Sequence, residues 1–271
     1  MQDKFKSKIY ECDTKVIHNH IINNDYRHLI LSAPRKALDI IPGQFFHLQC
    51  PPSESSISYL RRPMSVYQFN QIEGKIEFLY KIHGKGTKAM SSLREGDIFN
   101  ILGPLGIGFT IEDNWKNLVL VARGVGLATL APLAKFAMEK GKKLTAICSA
   151  RSPEHLMSLD LFRSFGVKII TVTDNDGSSS IPKLKALINN LLLEQSIDAF
   201  FTCGSNRILK LLKMICIKNK IAGQIALEQQ MACGIGMCFC CVRAFEVKGK
   251  ILHRRVCNEG PVFNLLEAMP W

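Results

Sequence analysis

Aromatic residues are scarce in this sequence of 271 residues: they make up 8% of it, and tryptophan occurs only twice. The formal net charge of +12, taken alone, suggests a nucleic-acid-binding protein. The basic residues are scattered, however, aromatic side chains are few, and no familiar nucleic-acid motif occurs. We therefore expect no nucleic-acid partner, and we interpret the excess positive charge as a bias toward docking on an acidic protein surface.

Long apolar runs are lacking as well. Residues 118–138 come closest to a membrane span, but they contain Arg123, Lys135, two glycines and a proline, which fit poorly in hydrocarbon. A buried strand, a glycine turn and a helix explain this segment better. The first residues also lack the apolar core of a secretory signal. These absences predict a cytoplasmic protein with no membrane span.

Short strand patterns separated by turns fill the first part of the sequence, and they predict a small antiparallel β-barrel over residues 1–113. A short helix is predicted at residues 87–93. The predicted strands cover residues 8–12, 28–32, 44–49, 64–69, 75–82 and 97–101.

Strand patterns alternate with helix patterns after residue 114, which is typical of a parallel sheet covered on both faces. We predict an α/β nucleotide-binding domain over residues 114–222 and a small cluster-binding tail over residues 223–271. The predicted class is therefore a multidomain α+β protein. The predicted strands of the α/β domain are 118–122, 144–148, 167–172 and 199–203, and its helices are 127–140 and 208–219.

The most informative motif lies in the tail, where four cysteines follow a C-x4-C-x2-C-x15-C spacing. The spacing of the first three cysteines matches plant-type [2Fe-2S] loops, and the long last interval suits a β-hairpin. Gly234 and Gly236 provide backbone freedom between the first two ligands. The predicted metal ligands are Cys233, Cys238, Cys241 and Cys257.

Two other uses of these cysteines stay open. Structural zinc prefers paired C-x2-C motifs, and only half of this motif has that spacing. Disulfides are rare in a reducing cytosol. Cys240 lies between two predicted ligands, and its role is left undecided.

Two candidate anion sites lie in the predicted barrel. Arg62 and Ser65 form an Arg-x-x-Ser pair that suits a pyrophosphate, because a guanidinium fork and a hydroxyl both bind phosphate oxygens. Gly84–Thr87 opens the predicted short helix, so its backbone N–H groups suit phosphate too. Two such sites in one barrel predict one bound dinucleotide. The predicted contacts from this barrel are Arg62, Pro63, Met64, Ser65, Tyr80, Lys81, Gly86 and Thr87.

A glycine turn in the α/β domain suggests a second dinucleotide. Gly124, Val125 and Gly126 follow a buried strand and begin a helix, where backbone can approach a pyrophosphate closely. Thr129 takes the third position of the G-x-G-x-x-G pattern, so the pattern is incomplete. No acidic residue follows the next strand. Instead Arg151 stands there and suits a 2′-phosphate.

Cys203 and Gly204 end the last predicted strand of this domain. They are predicted to lie at the carboxyl edge of the sheet, where doubly wound folds bind ligands. We therefore add both residues to the predicted contacts of the second dinucleotide.

Together these motifs resemble the ferredoxin-reductase superfamily, and most closely the electron-transfer subunits of heterodimeric dihydroorotate dehydrogenases of pyrimidine biosynthesis. The resemblance covers nearly the whole chain and is most specific at Glu228, at residues 231–234 and at residues 256–263. It implies FAD held by the Arg-x-x-Ser and Gly-Thr elements, NAD(P) at the glycine turn and a [2Fe-2S] cluster on the cysteines. It also implies a hetero-oligomer with a flavoprotein catalytic subunit, and no catalytic acid or base in this chain.

The sequence departs from the family pattern at Arg123, Thr129 and Ser205, all beside the expected nicotinamide nucleotide. A cation at position 123 either pairs with a phosphate or hinders its close approach. Alternative interpretations are a subunit of an NADH-dependent ferredoxin:NADP oxidoreductase or of a sulfide dehydrogenase, and a non-enzymatic redox or iron sensor.

Overall fold

The computed structural model of the chain describes residues 8–52 and 58–271. The chain forms two compact units. The barrel unit comprises the described residues up to Gly108 together with residues 229–243 and 254–261. The sheet unit comprises Phe109–Glu228, Ala244–His253 and Val262–Trp271.

The barrel unit contains a seven-stranded antiparallel sheet with the strand order β4-β3-β7-β1-β2-β6-β5. Its side chains alternate between the two faces, and one face supplies an apolar core that includes Leu29, Phe46, Ile76 and Phe78. The strands are β1 (Tyr10–Ile21), β2 (Tyr26–Ser32), β3 (Phe45–Leu48), β4 (Arg62–Ser65), β5 (Gln68–Asn70), β6 (Lys75–Lys81) and β7 (Ile98–Leu105).

The predicted strand at residues 64–69 is divided into β4 and β5 because the backbone changes partners there. Val66 N–H donates to the carbonyl of Gln44, beside β3, whereas Tyr67 N–H donates to the carbonyl of Glu77 in β6. The chain thus crosses from one end of the sheet to the other at this point. The predicted short helix is α1 (Lys85–Met90), which begins two residues earlier than expected.

The sheet unit is built on a six-stranded sheet with the order β10-β9-β8-β11-β12-β15, in which only β15 runs antiparallel. The predicted parallel architecture is confirmed, and β11 is buried at every residue, as expected for a strand covered on both faces. The strands are β8 (Asn117–Arg123), β9 (Lys143–Ala150), β10 (Lys168–Thr173), β11 (Ala199–Cys203) and β12 (Ala222–Ala226), and β15 is Val262–Asn264.

Four helices complete this unit, two of which the sequence analysis did not predict. The predicted pair are α2 (Gly126–Glu139) and α5 (Asn206–Asn219), and the others are α3 (Leu159–Ser164) and α4 (Ile181–Glu194). The longer of these, α4, buries Leu184, Ile188 and Leu191 on one face. Residues 118–138 form most of β8, the glycine turn and nearly all of α2. No helix in the described part of the chain is both long and apolar enough to cross a membrane.

The C-terminal tail does not form a compact unit of its own. The hairpin expected before the fourth cysteine is present as β13 (Val242–Val247) and β14 (Lys250–Arg255), followed by the short helix α6 (Val256–Glu259). The predicted boundary at residue 222 differs from the structure because β12 begins there and extends the parallel sheet, and β15 then adds to β12.

Candidate functional site

The four predicted metal ligands all belong to the barrel unit, and they lie in two pairs. Around the first pair, the backbone N–H groups of Met237 and Cys238 point at Cys233 Sγ, at 3.3 and 3.4 Å. In the second pair, Cys257 N–H points at Cys241 Sγ at 3.4 Å. Two thiolates for each of two irons is the ligand set of a [2Fe-2S] cluster.

The protein environment shifts the pKa values of two of these thiols in opposite directions. Burial acts to raise the pKa of Cys233, but hydrogen bonds from the backbone of Cys238, Ile235 and Met237 outweigh it and lower the pKa to about 6. Burial, with the neighbouring Cys241, raises the pKa of Cys257 to about 12. Two thiolates held close together repel each other unless a metal centre compensates their charge. Cys240 is exposed beside them.

The ligand loop is supported at its two glycines, which both have positive φ angles. A Cβ on Gly234 would stand 2.7 Å from the ring of His47, and a Cβ on Gly236 would stand 2.9 Å from Asn258 Cβ. Arg255 Nη1 donates to the carbonyl of Gly236 at 3.0 Å. Only glycine fits at either position, so the loop is held close to β3 and to α6.

The two anion sites predicted in the barrel lie side by side. A Cβ placed on Gly86 would be 2.9 Å from Arg62 Nε and 2.8 Å from the sulfur of Cys50. Arg62 Nη1 donates to the carbonyl of Leu60 at 2.7 Å, and no carboxylate pairs with Arg62 among the residues that the structure describes. The neighbouring Arg61 differs, because it forms a 2.6 Å ion pair with Glu11. Arg62 is therefore the guanidinium that remains available to a phosphate.

The other predicted contacts of this dinucleotide take varied positions. Thr87 Oγ1 accepts hydrogen bonds from the N–H groups of His83 and Gly84, so its hydroxyl caps α1. The ring of Tyr80 lies in the barrel core and its hydroxyl donates to Asn19, which leaves only its backbone for a cofactor. Lys81 is exposed, and its Nζ lies 3.5 Å from Asp25 Oδ2. Pro63, Met64 and Ser65 are half-buried in β4.

The glycine turn of the sheet unit lies at the start of α2. Gly124 has a φ of 56°, and Gly126 begins α2 directly after β8. A Cβ on Gly126 would lie 2.7 Å from the carbonyl oxygen of Cys203, and a Cβ on Gly204 would lie 3.7 Å from Gly126 Cα. Val125 stands at the N-terminus of α2. The strand end at Cys203 and the glycine turn therefore meet at the carboxyl edge of the sheet.

Cys203 is buried in this edge. Burial raises the pKa of its thiol well above the usual range, and the carboxylate of Glu228 raises it further. A hydrogen bond with Thr129 acts in the opposite direction. Cys203 is therefore a neutral thiol at the glycine turn.

Arg123 adopts an arrangement that the sequence analysis did not foresee. Its guanidinium forms a bidentate ion pair with Asp174, with Nη1···Oδ1 at 3.0 Å and Nη2···Oδ2 at 2.5 Å. Nη1 also donates to Ser149 Oγ at 3.2 Å. These contacts join the carboxyl ends of β8, β9 and β10, so the cation next to the glycine turn is already paired within the protein.

Asp174 is the polar partner that sequence reasoning missed at this edge. Hydrogen bonds from Arg123 and Ser179 lower the pKa of Asp174 to about 2, so the pair is ionised at neutral pH. The sequence signal was an acidic residue two positions after the predicted strand at residues 167–172. Arg151, which follows β9 as predicted, is exposed and free to meet a ligand.

Known proteins agree with this arrangement. Residues 228–267 match the family model of the iron-sulfur cluster binding domain of dihydroorotate dehydrogenase B, and residues 13–109 match that of the oxidoreductase FAD-binding domain. The electron transfer subunit of dihydroorotate dehydrogenase B (NAD(+)) from Caldanaerobacter subterraneus subsp. tengcongensis is 37% identical, over 82% of this chain and 84% of that protein. The chain belongs to this family of electron transfer subunits. The family member from Listeria monocytogenes serotype 4b is 33% identical over 95% of this chain and 98% of its own length.

Solved structures extend the comparison. An NADH-dependent reduced ferredoxin-NADP oxidoreductase structure contains a chain with a TM-score of 0.79 and 28% identity, covering 94% of this chain and 88% of that chain. The predictions of a ferredoxin-reductase-like fold, an FAD domain and an iron-sulfur domain are thereby confirmed. All ten cysteines are free thiols, so no disulfide competes for them. The assignment of individual ligand residues stays a prediction.

Proposed function

We propose that this chain is the electron-transfer subunit of a dihydroorotate dehydrogenase, carrying electrons between NAD(P)(H) and a flavoprotein catalytic subunit. The observation that carries the proposal is that the four cysteines and the Arg62 site fold into one compact unit. When bound, FAD exchanges hydride with nicotinamide and single electrons with an iron-sulfur cluster. Arg62 would hold the FAD phosphate, and the two thiol pairs would hold the cluster.

The nicotinamide nucleotide belongs to the sheet unit in this proposal. Gly124 and Gly204 leave backbone accessible beside the start of α2, where Gly126 is buried against Cys203, and the N–H groups at a helix start suit a pyrophosphate. The relatives are named as NAD(+) enzymes, which supports NAD as the natural nucleotide. Arg151 is the residue that would accept a 2′-phosphate if NADPH is used instead.

The surface of the ligand loop supports a protein partner. Ile235, Met237 and Phe239 are exposed there by 44, 76 and 62%. Three large apolar side chains in one short loop are typical of an interaction site. We place the catalytic subunit on this loop, because electrons leave the chain where the thiol pairs lie. We place the complex in the cytoplasm, where a reducing environment preserves thiolate ligands.

Co-expression with the catalytic subunit from the same organism tests the proposal. The purified complex should reduce NAD⁺ when dihydroorotate is added, and Cys238→Ser should abolish this reaction without releasing the partner. A complex that forms but transfers no electrons from dihydroorotate would overturn the proposal.

One observation favours a second candidate. The match to the NADH-dependent ferredoxin-NADP oxidoreductase structure extends over 94% of this chain. A subunit of that type would take electrons from NADH and reduced ferredoxin and pass them to NADP⁺, which is reduced to NADPH. Two separate assays of the purified protein and its native partner decide between the two donors. One assay supplies reduced ferredoxin, and the other supplies dihydroorotate.

A further inference from the structure

A buried histidine beside the cluster-binding loop has no hydrogen-bond partner in the protein. His47 lies in β3 and is completely inaccessible to solvent. Neither Nδ1 nor Nε2 reaches a hydrogen-bonding group among residues 8–52 and 58–271. Polar side chains buried this deeply are nearly always hydrogen-bonded, so a fully unpartnered ring requires an explanation.

The ring is neutral in this environment. Burial lowers the pKa of His47 to about 4, and the positive charge of Arg61 contributes. A neutral imidazole has one nitrogen that donates and one that accepts. In either protonation state the ring of His47 brings an N–H donor to its surroundings.

The neighbours of His47 on the protein side do not use that donor. Phe45 lies beside it, with the ring centroids 5.8 Å apart, and offers no acceptor. The Arg61 guanidinium pairs with Glu11 and donates to the backbone carbonyl of His47, away from the ring. Both contacts leave the imidazole nitrogens for another group.

The ligand loop also packs against His47. Gly234 has a φ of 71°, and a Cβ on it would lie 2.7 Å from both Cε1 and Nε2 of His47. Gly234 follows Cys233 directly, and it lies inside the loop whose N–H groups already point at Cys233 Sγ. The ring thus lies against the turn that presents the first cluster ligand.

We propose that His47 is a positioning residue of the iron-sulfur centre: its ring supports the Cys233–Gly234 turn, and its N–H donates to a sulfur atom of the bound cluster. Hydrogen bonds to cluster sulfurs stabilise the reduced, more negative form and so raise the reduction potential. The inference rests on the proposed function only in assuming that the barrel unit holds a [2Fe-2S] cluster.

The test is a redox titration of the holoprotein, followed by electron paramagnetic resonance of the reduced cluster, for three variants. His47→Leu removes the donor while keeping an apolar side chain, and His47→Gln keeps an N–H donor. His28→Gln is the matched control, because His28 lies in the same sheet with its own partner, Glu77, at 2.7 Å.

We expect His47→Leu to make cluster reduction about tenfold less favourable, which is about 59 mV for one electron. We expect His47→Gln to recover most of that shift, and His28→Gln to show none. The resonance spectrum of the reduced cluster should change with His47→Leu, since the surroundings of the Cys233 ligand change.

Three results would overturn the inference. The first is an unchanged cluster potential in a His47→Leu protein with full iron and sulfide content, and the second is an equal shift in the Leu and Gln variants. The third is a shift of the flavin potential alone, which would make FAD the partner of His47.

If His47→Leu does not fold, the test compares His47→Gln with His47→Asn. The side chains of these two variants differ in length, so they hold the amide donor at different distances from the cluster, and the reduction potentials of the cluster should differ. A wild-type protein without any cluster would instead contradict the proposed function.

Discussion

Two arginines stand at the two predicted phosphate sites, and they differ in what they already bind. In the barrel unit Arg62 donates to backbone carbonyls and has no carboxylate partner among the described residues. In the sheet unit Arg123 is held by both oxygens of Asp174. A guanidinium that is not paired in the protein is available to a ligand phosphate, whereas a paired one has to be released first. The two arginines therefore differ in whether a carboxylate of the protein already holds the guanidinium group.

The largest effect is expected at the four predicted cluster ligands, which all lie in the barrel unit. Cys238→Ser should remove the cluster because each iron needs two thiolates. Cys240→Ser should leave the cluster largely intact, since Cys240 is not one of the four predicted ligands. Cluster content is measured in anaerobically purified protein as iron, acid-labile sulfide and visible absorbance. Equal loss in both variants would show that the ligand assignment is wrong, and zinc without sulfide would rule out the cluster.

The next effect concerns the unpaired arginine. Arg62→Ala should weaken FAD binding by about 1.5–3 kcal/mol, because a charged hydrogen bond to phosphate is lost. Arg61→Ala is the matched control: its guanidinium is paired with Glu11, so flavin affinity should change little. Titration of flavin-free protein with FAD gives both affinities, and chromatography of heat-released flavin should identify FAD rather than FMN. Similar losses of FAD affinity in the two variants would show that pairing with a carboxylate does not decide which arginine binds FAD.

A smaller effect is expected at the glycine next to Arg62. Gly86→Ala would place a Cβ against Cys50 and Arg62, so the guanidinium has to move and FAD affinity should fall by about fivefold, or about 1 kcal/mol. A Cβ on Gly84 would meet nothing within 4 Å, so Gly84→Ala should retain wild-type affinity. The same FAD titration applies. Wild-type affinity in Gly86→Ala would mean that Arg62 is not fixed by its neighbour.

The smallest effect concerns the paired arginine. Asp174→Asn should release Arg123 and tighten NADH binding by about threefold, or about 0.7 kcal/mol, because the freed guanidinium can meet a phosphate. Titration with NADH and NADPH, followed by flavin reduction, measures the change. Arg123→Gly removes the same guanidinium and serves as the companion variant. If Asp174→Asn weakens binding, the pair itself shapes the nucleotide site.

The pH dependence of that pair follows from its pKa. The folded-state pKa of Asp174 is lowered to about 2, so the contribution of the pair to stability is fully present above the ordinary aspartate pKa of about 3.9 and is lost as the pH falls through about 2. The difference in NADH affinity between wild type and Asp174→Asn should therefore be constant between pH 6 and pH 8. A difference that changes across this range would require another titrating group.

Local sequence patterns were sufficient for several parts of the molecule. The predicted strand at residues 199–203 coincides with β11, because a continuous apolar run that ends in glycine describes a buried parallel strand. The four-cysteine spacing likewise predicts a cluster-binding loop, because three of the four predicted ligands are close together in the sequence. In both cases the interacting groups are neighbours along the chain, or belong to a periodic pattern.

Contacts between distant residues were beyond such reasoning. Arg123 and Asp174 meet only because β8, β9 and β10 are adjacent in the sheet, and a single sequence does not give the strand order. His47 meets Gly234 through the packing of the ligand loop on β3. Thr87 is a different case, because its hydroxyl caps α1 through the nearby N–H groups of His83 and Gly84.

The path of the chain between the two units has a consequence for the order of folding. The chain passes from one unit to the other after Gly108, Glu228, Arg243, His253 and Pro261, so the barrel unit is discontinuous in sequence. Bringing the ligand loop to the barrel closes a loop that contains residues 109–228, and closing a flexible loop of that length has an entropic cost that grows with the logarithm of its length. Folding of the intervening segment into its own sheet removes most of that freedom beforehand. Metal insertion is thus expected to be a late step, and a destabilised parallel sheet should lower cluster occupancy although it contains no ligand.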